Sequence, residues 1–211
     1  MIPAVILSAG ASSRMGRPKA LLDLAGEPFL SRIARTLRLG GVADVVVVTG
    51  PHDAEIRAWI DSVADRIGPL RVAYNPVHES GQLTSLLAGL ATVDHPGVLA
   101  MLVTLVDLPL VRPATVTALL AAWRATRAPV VRPRFGERHG HPVVFDRVVF
   151  DALRHARLDQ GARSVVHTLG AAVLDVPTDD EGVCLDVDTP EDYARAIEVA
   201  ARRAGEDVPR L

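Results

Sequence analysis

The chain has 211 residues, 49% of them hydrophobic, enough for one domain of ordinary size with helices around a core. A formal net charge of −2 excludes a general attraction to nucleic acid or anionic membranes, and the 4% aromatic content excludes a base-stacking platform for single strands. The one cysteine, Cys184, excludes an internal disulfide framework or a four-cysteine zinc site and points to a reducing cytoplasm.

The apolar start, Ile2 to Leu7, is far shorter than the roughly 20 residues of a membrane span and has no basic flank. It reads as a buried strand, Val5–Leu7, leading into a loop rich in Gly and Ser. Glu27–Leu39 is a predicted helix, since Phe29, Ile33 and Leu37 recur at helical spacing and Gly40-Gly41 stops it. Val45–Thr49 is a continuous apolar strand. Ile56, Ile60, Val63 and Ile67 mark the next helix, closed by Gly68-Pro69. Arg71–Tyr74 reads as a shorter strand, Leu83–Ala91 as a helix, Leu99–Val106 as the central strand and Ala114–Ala125 as a helix after Pro113. Runs that are apolar on both faces belong to parallel strands covered on both sides by helices.

The second half is more broken. Val130–Arg132 and Val143–Phe145 read as strands around a loop of Arg, Gly and His, Arg163–Leu169 as a short helix, and Ala172–Val176 as a strand. Thr189-Pro190-Glu191-Asp192 carries a helix-start signature for a last helix running to about Ala204. No low-complexity tract or solenoid repeat interrupts this order.

Ligands of an open parallel sheet bind beyond the carboxyl ends of its strands. The first loop there is Ser8-Ala9-Gly10-Ala11-Ser12-Ser13-Arg14-Met15-Gly16-Arg17-Pro18-Lys19. Its glycines let the backbone approach a ligand, and Arg14, Arg17 and Lys19 supply local positive charge for a triphosphate. It is neither a Walker A loop, because Gly16 is followed by Arg17-Pro18-Lys19, nor a dinucleotide fingerprint, because Gly10 stands alone.

Asp107 ends the most hydrophobic strand, where an acid needs a cation or hydrogen bonds to be stable. Asp186-Val187-Asp188 presents the same picture, a short strand ending in an acid with both carboxylates on one side. One carboxylate from each strand end can hold Mg2+, which takes few protein ligands. Against this, Asp188 and Thr189 also fit a helix cap. His139-Gly140-His141 lacks a nearby third ligand and reads as a substrate loop rather than a transition-metal site. Arg132, Arg134 and Arg138 give that loop a positive field.

Leu7 to Lys19 resembles the signature loop of the molybdenum-cofactor nucleotidylyltransferases and their sugar and isoprenoid relatives. Four further segments agree in order: Asn75 with Gly81-Gln82-Leu83-Thr84-Ser85, Asp107-Leu108-Pro109, Gly140-His141-Pro142, and Asp186 to Asp192. Asp159-Gln160-Gly161-Ala162-Arg163 is similar to the molybdopterin cytidylyltransferase-like branch. The resemblance implies a three-layer α/β/α sandwich with a mostly parallel, Rossmann-like sheet. It implies a single NTP-transferase domain over 1–205, with a nucleotide-binding half of about 1–112, an acceptor-binding half of about 113–205 and a tail at 206–211.

By the same resemblance, Leu7, Ser8, Ala9, Gly10, Arg14, Lys19, Asn75 and Ser85 bind the nucleotide, and Arg14, Lys19 and Asp107 serve catalysis. Asp107 and Asp188 hold magnesium, and Gly140, His141 and Pro142 line the acceptor side. The implied reaction moves CMP from CTP to the phosphate of molybdopterin, with pyrophosphate leaving and no protein nucleophile. CTP is favoured because Ser8-Ala9-Gly10 resembles the cytidylyl form, in which the Ala9 methyl narrows the base pocket. Guanylyl transfer or another phosphorylated acceptor is the alternative. So is a non-catalytic partner that delivers the cofactor to a molybdoenzyme, although such a carrier has no need of Asp107, Asp188 and Lys19. Cys184 is expected to be a buried apolar residue.

Overall fold

A computed structural model of the chain describes residues 1–10 and 16–206. The sheet is built from β1 (Ala4–Ser8), β4 (Val45–Thr49), β5 (Arg71–Tyr74), β6 (Ala100–Leu105), β7 (Val130–Phe135), β8 (Arg138–His139), β9 (Val143–Asp146) and β10 (Val173–Pro177), with a small ribbon of β2 (Asp23–Leu24) and β3 (Glu27–Pro28) beside it. The main order is β10-β7-β9-β6-β1-β4-β5, with β8 paired to β7. β1 is parallel to both neighbours, as are the β4–β5 and β7–β10 pairs. β9 alone runs against both β6 and β7.

The apolar runs have two working faces. Ala4 and Ile6 of β1, with Val45 and Val47 of β4, pack on α1 (Phe29–Leu39), α2 (Asp53–Ile67) and α4 (Pro113–Thr126), where Ile33, Ile56, Ile60, Leu119 and Trp123 close one core. Val5, Leu7, Val46 and Val48 point the other way, onto α3 (Gln82–Val93), α5 (Phe150–Arg154) and α6 (Gly161–Leu169). The result is the three-layer sandwich expected from strands that are apolar on both faces. A smaller cluster seats α7 (Pro190–Glu206) through Ala196 and Val199 against Phe29, Leu110 and Val187. Among the described residues no helix is long and apolar enough to cross a membrane.

Local signals explain the helix ends. Asp53 and Glu55 lie in the first turn of α2 and Arg66 in its last, matching the helix dipole, and Gly68 breaks away at φ +72. α4 starts on Pro113. At α7 the Thr189 hydroxyl accepts from the Asp192 amide (3.2 Å) while the Asp192 carboxylate accepts from the Thr189 amide (2.9 Å), a reciprocal cap.

The structure departs from the sequence expectation in several places. Residues 186–188 form no strand. The segment is irregular because its backbone is not paired in the sheet; the Val187 amide donates to the carbonyl of Asp107 instead (2.9 Å). Val187 is buried and Asp186 and Asp188 are exposed, so the expected alternation survives without a strand. The ribbon β2–β3, the short β8 and α5 are additions, each too brief to leave a periodic signal.

Gly89 sits in α3 where the helix lies closest to β1. A Cβ there would stand 2.4 Å from Val5 Cγ1 and 3.1 Å from Val48 Cγ2. Gly89→Ala gains about 1 kcal/mol of helix propensity but overpacks the core at a cost of roughly 1–3 kcal/mol. The variant is expected to unfold at lower urea than wild type. An unchanged or higher midpoint would show that α3 shifts freely away from the sheet.

Candidate active site

Two adjoining cavities open at the carboxyl ends of β1 and β6. The first, of about 340 Å3, is lined by Leu7, Ser8, Ala9, Gly10, Lys19, His78, Gly81, Gln82, Ser85, Leu105, Val106, Asp107 and Asp188. Most of the expected nucleotide residues, Leu7 to Gly10, Lys19 and Ser85, therefore meet in one place, although they come from three separate stretches of chain. Asn75 stands behind them. It is buried, and its amide donates to Thr84 Oγ1 (2.8 Å) and Ser85 Oγ (3.0 Å) while its oxygen accepts from the Val77 amide (3.1 Å). It fixes Ser85 rather than lining the cavity. Arg14 lies outside the described residues.

Ala9, which lines the first cavity, is also packed against a neighbouring loop. A Cβ added to Gly50 would come within 3.1 Å of its methyl, and Ala9 is 7% exposed and part of the core. Ala9 thus lines the first cavity with its methyl packed beside Gly50. Sequence reasoning missed His78 and Gln82 as lining residues, although Gln82 lies inside a segment whose resemblance it had noted.

The charged end of this cavity is compact. Lys19, at the head of the short turn Lys19–Leu21, forms ion pairs with Asp188 and with Asp107 Oδ2, the latter at 3.5 Å. Its side chain is 14% exposed, against 22% for Asp107 and 51% for Asp188. Burial pushes the Asp107 carboxyl above its ordinary value; Lys19 pulls it down, and Asp186 and Asp188 push it up again. Burial and Asp188 likewise raise Asp186. Asp107 Oδ1 is buried without a hydrogen-bond partner among the described residues. Because Thr189 and Asp192 make the helix cap between themselves, the Asp188 carboxylate is left to the cluster.

The second cavity is larger, about 1010 Å3, and shares Leu7, Gln82 and Leu105 with the first. Leu83, Leu86, Val103 and Phe145 give it an apolar floor, and Arg132, Arg138 and Arg163 line it with positive charge. Arg132 is oriented from behind: its Nε donates to Asp175 Oδ1 (2.6 Å), and His139 Nε2 meets the other oxygen (2.9 Å). Burial pushes the Asp175 carboxyl up, but the bonds from Arg132 and His139 outweigh it and hold it below the usual value. Gly140 and His141 line this cavity. Pro142 does not. It follows a cis peptide bond, is buried, and packs on the core side near Thr104 and Leu108. Cys184 also lines the second cavity and is half-buried, which corrects its expected place in the core.

Burial drives the His141 imidazole down from 6.5 to about 4, so at neutral pH it offers a ligand one donor and one acceptor without charge. In the unfolded chain the same group takes up its proton near the ordinary value. Its contribution to stability is therefore complete above about pH 6.5 and is lost as the pH falls towards about 4, on the order of 3 kcal/mol in all. Between pH 7 and pH 4 the wild-type chain should lose that much more unfolding free energy than His141→Gln. Parallel losses in the two proteins would show that the folded imidazole ionises freely.

Residues 4–174 match the family described as the MobA-like NTP transferase domain. Nicotine blue oxidoreductase from Paenarthrobacter nicotinovorans is 33% identical over 207 residues, covering 93% of this chain and 96% of that protein. A probable molybdenum cofactor guanylyltransferase from Synechococcus elongatus is 28% identical over 200 residues, covering 90% and 95%. The crystal structure of Rv0371c from Mycobacterium tuberculosis H37Rv is 31% identical, with a TM-score of 0.78, over 93% of this chain and 97% of that one. A complex of Rv0371c with manganese is 29% identical, with a TM-score of 0.75, over 93% and 98%. With a family match spanning most of its length and full-length relatives on both sides, this chain belongs to the MobA-like NTP transferase domain family.

Proposed function

We propose that the chain is a magnesium-dependent cytidylyltransferase that moves CMP from CTP to the phosphate of a molybdopterin-type acceptor and releases pyrophosphate. The observation that carries this reading is the junction of the two cavities at Gln82, Leu7 and Leu105, beside Lys19 and the acidic cluster. A nucleotide in the smaller cavity meets an acceptor in the larger one where opposite charges are already arranged. The larger cavity exceeds what a small sugar phosphate fills, and its apolar floor suits a flat heterocyclic body. Its arginines suit an anionic one. In this reading the division into halves is functional, with residues from about 1–112 holding the nucleotide and also supplying the acceptor floor through Leu83, Leu86 and Val103.

The residues fit a magnesium ion. Asp107 Oδ1 is a hard oxygen, buried and without a partner among the described residues, and Asp188 offers a second carboxylate beside the same lysine. Asp107 and Asp188 would hold the metal, whose chemistry there is to neutralise phosphate oxygens. Leu7 to Gly10 lay backbone along the nucleotide, and Lys19 and Arg14 offset the charge of the triphosphate. An oxygen of the acceptor phosphate attacks the α-phosphorus. The new P–O bond forms as the bond to pyrophosphate breaks. No protein nucleophile is consumed, so Cys184 has no covalent part; burial also pushes its thiol up and keeps it protonated.

The choice of CTP rests on the form of Ser8-Ala9-Gly10, while the relative from Synechococcus elongatus is named for guanylyl transfer. A second reading has its own support. The relative from Paenarthrobacter nicotinovorans carries an oxidoreductase name over nearly the whole chain. An apolar floor beneath arginines also suits redox chemistry on a heteroaromatic molecule.

A panel of the four NTPs with molybdopterin and Mg2+, followed by pyrophosphate release, tests the first reading. CTP is expected to give the highest kcat/KM. Preference for GTP would convert the assignment to guanylyl transfer. Absence of pyrophosphate with every nucleotide, together with reduction of a heteroaromatic dye by a reduced nicotinamide nucleotide, would establish the second reading. Asp107→Asn separates role from fold. It should remove turnover while leaving the melting temperature equal or higher, because a carboxylate raised by burial weighs against the folded state at neutral pH. A fall of several degrees in melting temperature would make Asp107 a structural residue.

A further inference from the structure

The cation nearest the acidic cluster belongs to the protein itself. Lys19 Nζ pairs with Asp188 and lies 3.5 Å from Asp107 Oδ2, and these are the carboxylates read above as metal ligands. Asp186 adds a third negative charge that is felt at Asp107. Three carboxylates around one ammonium keep a net negative charge that attracts a cation, but Lys19 already occupies the space between Asp107 and Asp188. A divalent ion seeks the same two carboxylates, at Asp107 through the oxygen next to the one Lys19 meets, and two cations a few ångströms apart repel strongly. Uptake of the metal therefore requires Lys19 to leave.

The lysine is built to do so. Its backbone is fixed by the turn, where the Leu22 amide donates to the Lys19 carbonyl (3.1 Å) after Pro18. Its ammonium rides on a flexible four-carbon stem and carries no directional fork. Asp188, the partner it holds more closely, is half-exposed at the cavity wall. The head group can exchange carboxylate oxygens for phosphate oxygens in the same cavity without moving the main chain.

We propose that Lys19 is the resident counter-ion of the metal site. In the nucleotide-free chain it competes with divalent cations for Asp107 and Asp188, and a triphosphate draws it away. Metal uptake is thereby tied to the arrival of the nucleotide. This rests on the reading of Asp107 and Asp188 as metal ligands, and the test separates the two.

Mn2+ alone is the probe. Its binding to the full chain without nucleotide is followed by the electron paramagnetic resonance signal of the free ion, for wild type, Lys19→Met, Lys19→Arg and the double variant Lys19→Met/Asp107→Asn. Loss of the ammonium should tighten Mn2+ binding by at least about tenfold. Lys19→Arg keeps the charge and should stay within about threefold of wild type. The double variant should lose the gain. Equal or weaker binding by Lys19→Met overturns the competition, as does tightening by Lys19→Arg to the same extent. A gain that persists in the double variant overturns the metal assignment itself. Circular dichroism on each protein confirms that the fold is retained.

Discussion

The Val187 amide donates to the carbonyl of Asp107 across 2.9 Å, and through that contact two remote stretches of chain become one site. Asp107 stands in the turn just beyond a central strand, whereas Asp188 stands just before the last helix. Neither element packs on the other through regular pairing. The buried side chain of Val187 and the cap formed by Thr189 and Asp192 hold the second stretch in place, leaving both neighbouring acids to face the cleft. Bringing carboxylates together in this way is unfavourable on its own. The crowding raises Asp107 and Asp186, and Lys19 is what makes the arrangement tolerable.

The two cavities divide the chemical work by polarity. Around the first, short side chains and exposed backbone surround a concentrated patch of charge. Around the second, positive charge sits over a wide apolar floor, and burial keeps the His141 imidazole neutral. A ligand crossing the junction passes from an environment that recognises oxyanions to one that recognises shape. Asp175 belongs to this second environment although it lines neither cavity, since it sets the directions of Arg132 and His139.

Much of this was legible in the sequence, and the parts that were not have physical reasons. The valines of 45–48 and the run at 100–105 announced buried strands because each side chain, on either face, meets a helix. Asp107 and Lys19 stood out as charges at the ends of apolar elements. The segment around Asp188 was legible as an alternation of exposed and buried residues, but alternation cannot distinguish a strand from an extended stretch docked by one hydrogen bond. Asn75 and Ser85 are legible as neighbours, but the spacing between them does not show which of the two lines the cavity. The contact between Ala9 and Gly50 joins separate loops, and no local pattern records it. Asp175 was not found, since its role depends on pairing between β10 and β7.

The reversed strand β9, which like β8 runs against β7, has a consequence for how such a protein can change. In a purely parallel sheet, only segments that leave strands can reach the ligand end. By running backwards between β6 and β7, β9 presents its beginning there, so Gly140 and His141 arrive at the cleft from a segment that enters a strand. Residues 136–142 are thus a tether fixed at both ends by the sheet and docked where the His141 amide donates to the Val183 carbonyl (3.0 Å), in the segment that leads to Asp186 and Asp188. Length and composition can drift at the outer turn around Gly136 and Glu137, whereas a Cβ at Gly140 would stand 2.0 Å from the Val183 oxygen, so the scaffold's dial for what it accepts lies at one end of the tether.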